Sequence, residues 1–275
     1  LEARSEAASF RVAVIAHELA DRSLIAARLA DAARHGVQLA VFPPSAIEEA
    51  HAESFDDVAM QLTAAVDAAG VAAGVGWIER TEDGRLYDSY ALCFPGGGRA
   101  RHRKLHATHR RFHGGSGFTV FDAPFGMRIG ILIGEDNDVV ENVRMTALMG
   151  ATLLIAPMRG DRSHRATLAA RAADNGMYIA YARASSDQAM IVGPDGRVLA
   201  RHASANDGLI VAQVKPSLAE ASSARQALAA RRPDLYAPLA QRGNAYPLVM
   251  ETERAAPRGS LPLSFAIVGR NRLMR

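Results

Sequence analysis

The chain has 275 residues and a mass of 29.3 kDa, with 49% hydrophobic and 22% charged residues. This balance excludes a disordered, collagen-like or membrane-embedded chain, because no apolar run approaches the ~18 residues that a membrane helix needs. The net charge of +3 hides an uneven distribution: Arg99 to Arg111 carries six cations and no acid, Arg254 onward carries five arginines and no acid, and the remainder is net −8. A uniformly basic surface is therefore excluded. Cys93 is the only cysteine, which rules out an intramolecular disulfide framework and a Cys-rich metal site and fits a reducing, cytoplasmic compartment. Leu1 to Ser9 lacks the apolar core of a signal peptide and reads as a ragged end.

In chain order, Phe10–Ala16 is an apolar run of strand length, and Leu24, Ala27, Leu29 and Ala32 then recur at helical spacing up to Gly36. Leu39–Phe42 predicts a second strand closed by Pro43-Pro44, and Phe55, Val58, Leu62 and Val66 a second amphipathic helix. A meander follows, with strands at Val71–Ile78, Leu86–Phe94 and Ala100–Lys104 separated by the turns Asp83-Gly84 and Pro95–Gly98. Beyond the Gly-rich loop His113–Gly117, strands are predicted at Phe118–Asp122 and Met127–Ile133, a helix over Val139–Leu148 closed by Gly150, a strand over Thr152–Ala156, a helix over Arg162–Asn175 and a strand over Met177–Ala182. Two strands flank Pro194–Gly196, and Leu209–Val214 forms a last one. With no repeat and no linker before about residue 230, a single α/β domain over residues 10–230 is expected, followed by a proline-bearing basic extension over 231–275 that packs on the domain or on a neighbouring subunit.

The clearest chemical pattern is an apolar strand, the polar break Gly134–Asp138 and a helix. A strand-to-helix turn presents its first residue and nearby backbone N–H groups at a sheet edge, a common place for a nucleophile. The apex residue here is Gly134, which has none, and Asp136, Asn137 and Asp138 suit the start of the following helix. His102, His106, His109 and His113 recur at intervals of 4, 3 and 4 but run from a strand into a Gly-rich loop with no carboxylate in register, so no metal site is expected. Cys93 lies on a strand face with Ser89 and Ala91 and reads as an inert buried thiol. The glycine clusters lack the ending of a phosphate loop, and no cofactor is implied.

Taken in order, AVFPPSAI (40–47), RHRKLH (101–106), residues 120–158, ARAADNGMYIAYA (170–182), IVGPDGRVLAR (191–201) and RRPDLY (231–236) make the chain resemble the nitrilase superfamily of carbon-nitrogen hydrolases. The resemblance implies a four-layer α-β-β-α sandwich and a Glu-Lys-Cys chemistry in which a carboxylate deprotonates a thiol, the thiolate attacks a nitrile or amide carbon and a lysine stabilises the tetrahedral intermediate. Matched residue by residue, the lysine falls on Lys104, the cysteine on Gly134 and the glutamate on Pro44, while a further family glutamate falls near His109. Glu48, Glu49, Glu135 and Asp136 are nearby carboxylates.

The expectation is then a non-catalytic binding or scaffolding homologue with Lys104, Gly134, Glu135 and His109 as candidate ligand-binding residues. The vacated pocket is expected to be cationic, with Lys104 lacking its acidic neighbour and an anionic or amide-like small molecule as occupant; neutralisation of Lys104 by Glu135 is the competing outcome. The alternatives are an active hydrolase of amide-like C–N bonds with a non-cysteine mechanism, and nucleic-acid binding through the basic loop 99–111, a thin footprint for such a partner. The resemblance further implies a homodimer or larger assembly through the helices at Val139–Met149 and Arg162–Asn175. No membrane partner is expected.

Overall fold

The computed structural model describes residues 9–16, 23–44, 52–107, 109–159, 165–184, 188–201 and 208–240. Glu48, Glu49, the predicted start of the helix at Arg162 and the tail beyond residue 240 lie outside the described residues. Two compact units are present, Leu1–Arg231 and Arg232–Arg275. In the second, the described residues form two short 3-10 turns, Pro233–Leu235 and Ala237–Ala240.

The first unit is built from two six-stranded mixed sheets. One contains β1 (Phe10–Ile15), β2 (Leu39–Val41), β3 (Ala72–Arg80), β4 (Leu86–Cys93), β5 (Arg99–Arg103) and β12 (Leu209–Val214), in the order β12-β1-β2-β3-β4-β5. The other contains β6 (Thr119–Asp122), β7 (Arg128–Ile131), β8 (Leu153–Pro157), β9 (Tyr178–Ala182), β10 (Met190–Val192) and β11 (Val198–Arg201), in the order β11-β10-β9-β8-β7-β6. Each sheet has three adjacent parallel strands, β1-β2-β3 and β7-β8-β9, flanked by antiparallel ones.

Burial on both faces explains why these strands read as unbroken apolar runs. Val12 and Val14 point into the core between the sheets, while Ala13 and Ile15 point toward α1 (Ser23–Arg34) and α2 (Phe55–Ala69). The second sheet repeats the arrangement: Leu153 and Ile155 face the inter-sheet core, and Leu154 and Ala156 face α3 (Val140–Leu148) and α4 (Arg165–Asn175). The result is the expected helix-sheet-sheet-helix sandwich. Two further helices, α5 (Pro216–Glu220) and α6 (Ser223–Ala229), follow β12 where the sequence carries no periodic signal.

His102 on β5 is buried at the edge of the inter-sheet space. The Thr119 hydroxyl donates to the Arg101 carbonyl oxygen at 3.2 Å and so accepts from His102 Nδ1 at 3.1 Å, which leaves Nε2 buried with no partner among the described residues. Burial accordingly pulls the pKa of the ring down to about 4 from 6.5. A folded-state value below the unfolded one means that the unfolded chain takes up the proton first, so this stability is fully present above pH 6.5 and is lost as pH falls toward 4. The expected loss is roughly 3 kcal/mol across that window, measured by urea denaturation, and His102→Gln should flatten the decline. An unchanged slope in the variant would contradict the assignment.

Candidate functional site

A cavity of about 150 Å³ opens at the end of the sandwich where β2, β3, β7 and β8 finish and β4 begins. Pro44 lies just past β2, Ile78 and Asp88 face each other in register on β3 and β4, Ile133 and Gly134 follow β7, and Arg159 follows β8. Lys104, Phe112 and His113, from the segment that leaves β5, form another wall. The two sheets thus bring together Pro44, Lys104 and Gly134, three positions separated widely in sequence.

Lys104 is placed by its backbone. Its N–H donates to the Asp88 carbonyl oxygen at 2.8 Å, and its own carbonyl accepts from Gly115 N–H at 2.7 Å. The Gly-rich loop can approach this closely because a Cβ on Gly115 would fall 2.5 Å from the Arg103 carbonyl oxygen. The next two residues are tied to the other sheet. Fully buried Asp136 accepts from Leu105 N–H at 2.7 Å, His106 N–H at 2.9 Å and His106 Nδ1 at 2.8 Å. Asn142 Nδ2 donates to the Asp136 carbonyl at 3.0 Å, and Asn137 Nδ2 donates to the Leu132 and Gly134 carbonyls at 2.8 and 3.0 Å. These bonds shape residues Gly134–Asn137 into a single 3-10 turn. The helix-start role expected for Asp136 is corrected: Val139 occupies the N-cap of α3 with no side-chain cap, and the Asp136 carboxylate reaches instead across to the β5 loop.

Gly134 sits at φ +56°, in the left-handed region, and a Cβ there would lie 3.3 Å from Lys104 Nζ. The glycine therefore lets the buried lysine approach the apex of the turn. The expectation that Lys104 lacks an acidic neighbour is corrected as well, because its ammonium pairs with Glu135, whose side chain reaches back from the turn. Asp88 contributes a second carboxylate, and sequence reading passed over it. Its Oδ1 is buried and has no hydrogen-bond partner among the described residues. Burial pushes this carboxyl above its ordinary value, while Arg159 and Lys104 act in the opposite direction. The sequence signal was available: Asp88 shares a strand face with the buried core residues Tyr90 and Leu92. Arg159 had no comparable local signal.

Other predicted features fall elsewhere. His109 is exposed, packs edge-on to Phe112 with ring centroids 6.4 Å apart, and does not belong to the cavity wall, whereas His113 does. Cys93 is buried on the helix-facing side of β4, where burial raises its thiol pKa and its Sγ is 3.9 Å from the Ala59 carbonyl oxygen. Four of the six cations of the basic run are paired within the fold: Arg99 with Asp56, Arg101 and Arg103 with buried Glu79, and Lys104 with Glu135.

Residues 8–224 match the family model for carbon-nitrogen hydrolases. The chain belongs to the carbon-nitrogen hydrolase family. This family member is 32% identical over 210 residues to a protein of Pseudomonas protegens named as the hydrolase in the pqqF 5' region, a match that spans 70% of this chain and 73% of that one. Its fold is shared with an amidase from Nesterenkonia sp., at a TM-score of 0.70 and 22% identity over 84% of this chain and 96% of that one. It is shared equally with Saccharomyces cerevisiae Nit3, a member of branch 10 of the nitrilase superfamily, at a TM-score of 0.71 and 19% identity over 82% and 96% of the two chains. One structure of the Nesterenkonia amidase carries acrylamide added to an active-site cysteine.

Within this carbon-nitrogen hydrolase fold, the Asp136 carboxylate ties the loop after β5 to the turn after β7, beside the Lys104–Glu135 pair. Asp136→Ala strands two backbone donors and should cost about 3 kcal/mol in urea denaturation, with Asp136→Asn recovering part of the loss. A loss below about 1 kcal/mol in the alanine variant would show that the loop is held by other means.

Proposed function

We propose that this chain binds a small polar molecule in the cavity and does not carry out the thiol-dependent hydrolysis of its family. The observation that carries the reading is Gly134 at the apex of the turn beside Lys104, where the resemblance to the family places the cysteine. No Ser, Thr or Cys side chain is among the described residues that line the cavity, and the lone thiol, Cys93, is buried against α2 on the other face of its sheet. Pro44, matched to the family glutamate, offers no base. A concerted catalytic set that lacks its nucleophile loses about 10⁶ in turnover, so retained Lys104 alone supplies no route to a covalent intermediate. The Nesterenkonia amidase, with its reactive cysteine, is the point of contrast.

The cavity itself supports a binding role. It is lined by ionisable groups, among them Asp88, Lys104, Glu135 and Arg159, and the loop after Lys104 is tied down by the Asp136 bonds. Purified protein incubated with a panel of amides, nitriles and carbamoyl compounds should release ammonia no faster than its Lys104→Ala variant. Turnover by the wild type that is abolished in Lys104→Ala would overturn this reading in favour of a hydrolase with a different nucleophile.

A further inference from the structure

Another cavity, of about 360 Å³, lies at the other end of the sandwich, where β9 begins, β12 ends and a tight turn joins β10 to β11. Because β9 runs parallel to β7 and β8, its first residue, Tyr178, stands away from the strand ends that carry Gly134 and Arg159. The Tyr178 hydroxyl joins the two sheets there. It accepts from Lys215 N–H at 3.2 Å and donates to the Lys215 carbonyl oxygen at 3.2 Å, just before Pro216 opens α5.

Part of the wall is apolar and left in water. Leu199 on β11 and Leu218 on α5 are 45% and 56% exposed, so an apolar body laid against them gains the burial that the fold does not supply. The charged groups are unevenly satisfied. Asp195, in the turn, is held by Arg197, whose backbone N–H donates to Oδ1 at 3.1 Å and whose Nε lies 3.5 Å from Oδ2. Lys215 forms no ion pair among the described residues. Composition singles out the same residue: thirty of the thirty-two basic residues are arginines, and the two lysines, Lys104 and Lys215, each line one of these two cavities. A lysine presents a compact point charge on a flexible four-carbon stem, so its ammonium settles on a small anion where the body of the ligand places it.

We propose that this cavity binds a small organic monoanion with an apolar body: a carboxylate pairs with the Lys215 ammonium, and the attached ring or short chain covers Leu199 and Leu218. The volume suits such a molecule, because pockets for small molecules begin at about 300 Å³ and a dry cavity of about 150 Å³ already admits benzene. A second negative charge on the ligand would meet the Asp195 carboxylate, which restricts the class to monoanions. The site is separate from the cavity beside Lys104. It therefore stands whether or not that cavity binds or hydrolyses anything.

Three probes of nearly equal size differ in charge: phenylacetate as the anion, 2-phenylethanol as the neutral compound and 2-phenylethylammonium as the cation. Binding to the full chain is followed by methyl NMR, with Leu199 and Leu218 reporting on this cavity and Ile133 on the one beside Lys104. Phenylacetate should move the Leu199 and Leu218 signals, leave Ile133 in place and bind at least about threefold more tightly than 2-phenylethylammonium. The factor is modest because Lys215 is exposed. Lys215→Met keeps an apolar stem without the charge and should bring phenylacetate down to the affinity of 2-phenylethanol. Leu218→Asp should abolish phenylacetate binding, with the melting temperature unchanged because Leu218 is a surface residue. Equal affinity for the three probes overturns the proposal, as does an unchanged order in Lys215→Met or retained binding in Leu218→Asp. Shifts at Ile133 alone place the anion beside Lys104 and overturn it too. No shift at Leu199 or Leu218 in the wild type has the same consequence.

Discussion

The buried carboxylate of Asp136 holds the site together. It accepts three hydrogen bonds, two from backbone amides and one from an imidazole, all on residues that directly follow Lys104, while its own backbone begins the path from the turn into α3. Between the sheets lies a core of apolar side chains, which fix spacing well and angular position poorly, and the other polar links across it include Thr119 with Arg101 and His102 and the Lys104–Glu135 pair. Hydrogen bonds to a charged acceptor are short and directional, so this group, together with the Lys104–Glu135 pair, fixes the exit from β5 against the turn after β7. Lys104 and Gly134 are neighbours for that reason, although they belong to different sheets.

That scaffold is indifferent to whether the turn bears a nucleophile. Gly134 takes up a backbone conformation that a side chain tolerates poorly and leaves the lysine close to the turn. The ammonium is then met by Glu135, a side chain more than half exposed that can swing to it at little cost in packing. The cavity wall then carries two cationic groups, Lys104 and Arg159, and two carboxyl groups, Asp88 and Glu135. Belonging to the carbon-nitrogen hydrolase family describes the sandwich and the way its strand ends converge; what the cavity does depends on the groups that line it.

The sequence revealed the sandwich through features that are local. Val12 to Ile15 alternate between two cores, so every position is apolar and the strand is unmistakable, while Gly36, Gly70 and Gly150 close the elements before them. α5 and α6 were not legible because five and seven residues are too few to show a helical period. The site was harder to read for a different reason. Lys104, Gly134 and Pro44 were placed by family resemblance, but the Asp136 bonds join residues 30 and 31 positions apart, and an acidic residue after a strand looks locally like a helix start. Asp88 was visible as a carboxylate on the core-facing side of β4, a conflict between residue type and position that marks functional sites in particular.

Whether the Asp136 carboxylate locks the loop after Lys104 to the opposite sheet is read from residue-resolved amide hydrogen exchange at Leu105 and His106. Both residues lie outside the strands, and His106 is exposed, so without the carboxylate their amides exchange as a loop does. Protection comparable to that of the β4–β5 ladder is expected in the wild type, lost selectively at these two amides in Asp136→Ala while the ladder stays protected. Loop-like exchange at Leu105 and His106 in the wild type would contradict it.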